Sequence, residues 1–219
     1  MRPWIKLLGL ALALAASLIL LGSAFTRPSP PSLSTTVTGS AGLAARARPL
    51  LPGALDRVSI AVVDGSTVTY ASFGANEETE YEIGSITKTF TGSLLAAAIE
   101  RGEVTAETKL GALLPLAGAP VADVTLAELA SHRSGLSAQG MQLDETIPFL
   151  VRLQQMHRNP FIHDVDGVLA IARKATLSNR GDFVYSNLGT ALLGQALAAA
   201  AHPAYAALVQ QRLVAPLGM

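Results

Sequence analysis

The sequence contains no cysteine. That excludes a disulfide framework, a cysteine nucleophile, a thiolate-bound metal and a lipidated-cysteine anchor. It leaves the compartment open, because an exported chain can do without the residue. Charge of one sign is also lacking: 16 Lys+Arg meet 16 Asp+Glu, for a formal net charge of zero. The longest cationic cluster is the pair Arg173-Lys174. Nucleic acid requires a basic face, so that class of partner is set aside. No segment repeats, and no G-x-S-x-G elbow occurs, which argues against a Ser-His-Asp hydrolase built on that turn. What is present is apolar mass. Half of the 219 residues are hydrophobic, enough for one medium domain with a real core.

The N-terminus carries the compartment signal. Arg2 and Lys6 flank Trp4, an uncharged run extends from Leu7 to Thr26, and Gly22-Ser23-Ala24 offers small residues at a cleavage-like site. This is the pattern of a secretory signal peptide. An uncleaved anchor over residues 4–24 is the competing reading, since about 20 helical residues span a bilayer; the small-residue site favours cleavage. Export to the periplasm or exterior is expected either way. Residues 25–56 then turn to Pro, Ser, Thr and Ala, with Pro28, Pro30 and Pro31 beside Ser29 and Ser32. That composition reads as a tether, with a short helix over 41–51. The domain proper is expected over 57–219.

It opens with two β-rich runs, 58–63 and 66–72, separated by Asp64-Gly65, a hairpin signal. The acidic stretch from Glu77 to Glu82 reads as a solvated loop. A helix is expected from Ser85 to Arg101, burying Ile86, Phe90, Leu94, Ala97 and Ala98, with Gly102 as its stop. Thr125-Leu-Ala-Glu128 has the form of a capping box. Further helices are expected over 147–156, 165–175 and 188–213, the last broken at His202-Pro203.

The chemistry centres on Ser85-Ile86-Thr87-Lys88. Residues three apart on a helix share a face, so the hydroxyl and the amine can meet. A serine alcohol becomes a useful nucleophile when a neighbouring base takes its proton. A helix N-terminus adds N–H groups that favour developing negative charge. Alone, S-x-x-K is common by chance.

The flanks add specificity. Tyr81-Glu-Ile-Gly-Ser-Ile-Thr-Lys-Thr-Phe-Thr-Gly92 closely resembles the nucleophile segment of the serine beta-lactamase / penicillin-binding protein superfamily, which includes D-alanyl-D-alanine carboxypeptidases. The likeness is strongest to the class C and esterase branch. Val124 to Leu136, Gly181-Asp-Phe-Val-Tyr-Ser-Asn-Leu-Gly189 and the closing Pro-Leu-Gly-Met219 resemble further family segments in the family's order. The resemblance covers about 58–219.

It implies an α/β (α+β) fold, with a mainly antiparallel sheet covered by helices beside an all-helical region. It also implies acyl transfer through a Ser85 acyl-enzyme, with Lys88 and Tyr185 as the base system and Asn187 binding the substrate amide and helping to hold Lys88. Free tyrosine has a pKa near 10, so Tyr185 needs a nearby cation to act as a base, and Lys88 is the candidate. The bland alternative is a buried tyrosine with a satisfied hydroxyl. The implied substrate is a peptidoglycan-type peptide, a beta-lactam or a small ester or amide. No cofactor and no metal are implied, the membrane is a partner only through an uncleaved N-terminal segment, and a monomer is expected.

The histidines suggest rivals. His132 reads as structural, within its Ser-Gly-Leu turn. His157 and His163, with Asp164 and Asp166, fit no standard zinc spacing. The family's third motif, Lys-Thr-Gly or His-x-Gly, is formed by none of the residues after Tyr185. Lys109-Leu-Gly111 comes too early and lacks the hydroxyl residue. The chain is therefore expected to be incomplete at its C-terminus, with a non-catalytic envelope remnant as the alternative function.

Overall fold

The computed structural model describes residues 29–138 and 163–219. The signal or anchor segment, the helix expected over 147–156 and His157 lie outside them. The chain divides into two units, Met1–Glu82 and Ile83–Met219.

In the first unit, the tether expected through residue 56 is structured from residue 37. Val37–Gly39 forms strand β1, and Ser40 caps helix α1 (Ala41–Ala47) by accepting from the Leu43 N–H. Composition misled here because Val37 and Thr38, both β-branched, find an open edge to pair with. The hairpin follows as β2 (Val58–Asp64) and β3 (Thr67–Phe73), and the sheet order is β1-β3-β2, all antiparallel. Asp64 pairs with Thr67, so the loop is Gly65-Ser66, one position later than Asp64-Gly65. Gly65 takes the positive φ (58°) that the first position of a type II′ turn demands. Leu43, Ala44 and Ala47 pack on Ala71 and Phe73, and the Arg48 guanidinium lies 4.7 Å from the Phe73 ring centre. The acidic loop is largely exposed.

The described part of the second unit is helical. A 3-10 turn, Gly84–Ile86, leads into α2 (Thr87–Glu100); α3 (Leu126–Ala130), α4 (Val165–Lys174), α5 (Asn187–Ala201) and α6 (Tyr205–Val209) follow. The centre is α5, which packs against α2, α3, α4 and α6. Leu188, Leu192, Leu193, Ala196 and Leu197 are all buried, so this helix is apolar on more than one face, as a central helix must be. It stops at His202, which takes a left-handed conformation ahead of Pro203.

The expected buried face of α2 holds at Leu94 and Ala98, with Phe90 and Ala97 half-buried, and departs from expectation at Ile86. Thr91, Leu94, Leu95 and Ala98 are buried, whereas Ile86 is 60% exposed because it sits in the turn before the helix. Thr91 tolerates burial because its hydroxyl pairs with the Tyr205 hydroxyl at 2.7 Å and donates to the Thr87 carbonyl.

The capping box of α3 forms in both directions. The Glu128 N–H donates to Thr125 Oγ1 at 3.2 Å, and the Thr125 N–H donates to Glu128 Oε2 at 2.8 Å.

Candidate active site

Ser85 lies in the turn at the head of α2, and Lys88 follows one helical turn later. The Lys88 ammonium donates to Ser85 Oγ at 3.2 Å. Tyr185, a hundred residues on, donates its hydroxyl to the same oxygen at 2.7 Å. Ser85 Oγ therefore sits between a cation and a phenol. The Lys88 ammonium, and next the Ser85 hydroxyl, hold the Tyr185 phenol below its ordinary pKa of 10.0. The physical cause is charge: a nearby cation and a hydrogen-bond donor both favour the phenolate. Ser85 and Tyr185 are exposed, so the oxygen is open to a ligand.

Tyr185 owes its place to two loops that clasp each other. The Ser178 N–H donates to the Gly135 carbonyl at 2.9 Å, the Gly181 N–H to the Arg133 carbonyl at 2.8 Å, and the Asn187 N–H to the Ala138 carbonyl at 2.8 Å. Arg133 returns a bond from its guanidinium to the Gly181 carbonyl at 2.7 Å. Buried Ser186 closes the clasp: its hydroxyl donates to the Ser137 carbonyl and accepts from the Gly189 N–H, capping α5. Gly135 permits the approach. It has φ of 77°, and a Cβ there would stand 2.9 Å from the Ser178 oxygen.

A paired anchor holds the far end. Arg180 donates from Nε and Nη2 to the two oxygens of Glu128, each at 2.7 Å, and from Nη2 to the Asp123 carbonyl. This guanidinium, aided by the Thr125 donors, pulls Glu128 down from 4.5 to about 2.

Asn187 opens α5 and, with Lys88, Thr87 and Thr91, lines a cavity of about 270 Å³. Ser85 and Tyr185 stand outside that lining. A second cavity of about 410 Å³, lined by Val165, Val168, Ile171 and Leu188, shares Asn187 with the first. The other serines near the site are otherwise engaged: Ser131 donates to the Ala127 carbonyl, and Ser134 is buried.

Residues 44–219 match the Beta-lactamase family. The chain belongs to the beta-lactamase family.

Solved structures agree. A class C beta-lactamase from Rhodobacter sphaeroides superposes with a TM-score of 0.60 at 26% identity, over 82% of this chain and 50% of that one. A beta-lactamase/D-alanine carboxypeptidase from Pseudomonas syringae gives 0.60 at 20% identity, over 73% and 44%. An octameric penicillin-binding protein homologue from Pyrococcus abyssi gives 0.62 at 24% identity, over 81% and 41%. The chain thus spans about half the length, or less, of the structures it matches. Its fold is the beta-lactamase-like α+β fold that the sequence resemblance implied, and its family is one of serine hydrolases.

Within this family member, the sequence reading placed Ser85, Lys88, Tyr185 and Asn187, and the structure brings the first three into contact. It missed the role of Arg180 and Glu128, whose pairing spans fifty residues, and the reach of His132 across to the Tyr185 loop. His132 carried one signal: it is a histidine in a turn of the same resembling segment. Asp164, weighed with His163 and Asp166 as a metal ligand, caps α4 by accepting from the Gly167 N–H at 2.9 Å. Among the described residues, no group of three His, Asp or Glu could hold a metal ion.

Proposed function

We propose that this protein is a serine acyl-hydrolase working through a Ser85 acyl-enzyme. Its substrate would be a peptidoglycan-type peptide, a beta-lactam, or a small ester or amide. The observation that carries this reading is the convergence of Lys88 Nζ and Tyr185 Oη on Ser85 Oγ. With Tyr185 as phenolate, favoured by Lys88, the 2.7 Å contact reverses and Ser85 becomes the donor. Its proton passes to the phenol oxygen as Oγ bonds to the substrate's acyl carbon. Tyr185 then returns the proton to the leaving nitrogen or oxygen as that bond breaks. Water repeats the sequence on the acyl-enzyme, releasing the acid and free Ser85. The start of α2 supports negative charge near Ser85. Asn187, on the cavity wall with Lys88, is assigned to the substrate amide.

A second reading is a non-catalytic envelope protein that binds such ligands. It draws on the cavity of about 270 Å³ lined by Lys88 and Asn187, whose lining leaves out Ser85 and Tyr185. Export is proposed on residues 1–24, and mass analysis of the secreted N-terminus tests it.

The deciding experiment is labelling with a fluorophosphonate or penicillin probe, followed by peptide mass spectrometry. One adduct is expected, on Ser85, lost in Ser85→Ala and kept in Ser131→Ala and Ser134→Ala. Labelling that survives Ser85→Ala would sink the mechanism. Ligand binding without any adduct would favour the second reading.

A further inference from the structure

His132 holds the backbone on both sides of Tyr185. Its carbonyl accepts from the Val184 N–H at 2.8 Å. Its imidazole Nδ1 accepts from the Ser186 N–H at 3.1 Å. The same ring lies against the phenol, with centroids 4.7 Å apart and planes inclined by 36°. Phe183 meets the imidazole edge-on at 5.7 Å. His132 adopts φ of 57°, the left-handed region that few residues other than glycine enter and in which asparagine, aspartate and histidine are enriched. One residue in a left-handed backbone state therefore touches each part of the Val184-Tyr185-Ser186 segment.

We propose that His132 is the positioning residue for Tyr185: by accepting the Ser186 N–H and stacking on the phenol, it holds the Tyr185 oxygen at Ser85. The inference rests on Ser85 being the nucleophile and Tyr185 its proton acceptor. Tyr185 is 41% exposed, so few neighbours confine its ring, and the stacked imidazole is one of them. A rotation about its side-chain bonds would carry the hydroxyl away from Ser85, and a displacement of about 1 Å can cost about 100-fold in rate. The bond from Ser186 requires a bare Nδ1, so the ring is neutral with its proton on Nε2. Burial, and the nearby Lys88 ammonium, hold its pKa below 6.5, in keeping with that form.

The test combines three measurements on the full chain. Imidazole ¹⁵N spectra should show His132 as the neutral Nε2-H form; protonated Nδ1 would overturn the proposal without any substitution. In protein carrying ¹³Cζ-tyrosine, the Tyr185 signal, assigned through Tyr185→Phe, should titrate below 10.0. His132→Ala should move that titration upward and slow Ser85 labelling by about 10- to 100-fold. His132→Asn supplies an acceptor and tolerates the left-handed backbone, so it should recover part of both effects. A variant that melts lower while its folded form keeps the wild-type Tyr185 titration would mean a purely structural role, and the proposal falls. If wild-type Ser85 takes no label, the proposed hydrolase fails, while the Tyr185 titration in the wild type and the two variants still decides the positioning role.

Discussion

The Lys88 ammonium lies 4.9 Å from the centre of the Tyr185 ring, with both side chains converging on Ser85 Oγ. A cation there favours the phenolate, so more of Tyr185 is ionised near neutrality than free tyrosine would be. Acylation should therefore rise with pH along a limb placed below 10.0. In Lys88→Ala that limb should move upward, because the main cause of the shift is gone. A labelling rate measured from pH 6 to 10 in both proteins checks this; an unmoved limb would detach Lys88 from the ionisation of Tyr185.

Lys88→Ala and Tyr185→Phe should each slow Ser85 acylation by about 100-fold or more, the usual scale for loss of a general base. The double variant should lose much less than the product, because both groups serve one proton transfer. Stopped-flow labelling of the four proteins measures it. Multiplicative losses would show that the two residues act independently.

Glu128 has a depressed folded pKa, so its pairing with Arg180 stabilises the protein above the unfolded value of 4.5. That stability is lost as pH falls toward about 2. The side chains of Glu128 and Arg180 are 25% and 38% exposed, so solvent screening holds the contribution to about 0.5–1 kcal/mol. Arg180→Ala should lower stability by that amount at pH 7 and by little at pH 2. Denaturant melts across this range provide the comparison; an equal loss at both ends would assign the effect to packing.

Gly135→Ala should destabilise by about 1–2 kcal/mol from the left-handed backbone alone, before any clash with Ser178. Since this turn is clasped to the loop bearing Tyr185, labelling of Ser85 should slow as well. A Tm paired with a labelling rate tests both. An unchanged rate at lowered stability would uncouple the turn from the site.

Several parts of this protein were legible in the sequence, for local reasons. The capping box of α3, the break at His202-Pro203 and the hairpin each depend on residues within a few positions of one another. So does the contact of Ser85 with Lys88, since helical spacing alone brings them to one side. The hairpin loop was displaced by one residue, and the helix expected from Ser85 begins with a 3-10 turn that leaves Ile86 exposed while Leu94 and Ala98 are buried as expected. Val37–Gly39 was taken for tether because its composition hides a strand that exists only by pairing with β3. The family resemblance named Tyr185 as a partner of Ser85, but only tertiary structure decided how its hydroxyl gets there. The Tyr185 hydroxyl arrives because backbone groups of 132–138 and 178–187 satisfy one another, and Arg180 binds Glu128 across fifty residues. These pairings are set by three-dimensional approach rather than spacing, and the sequence by itself holds no measure of that distance.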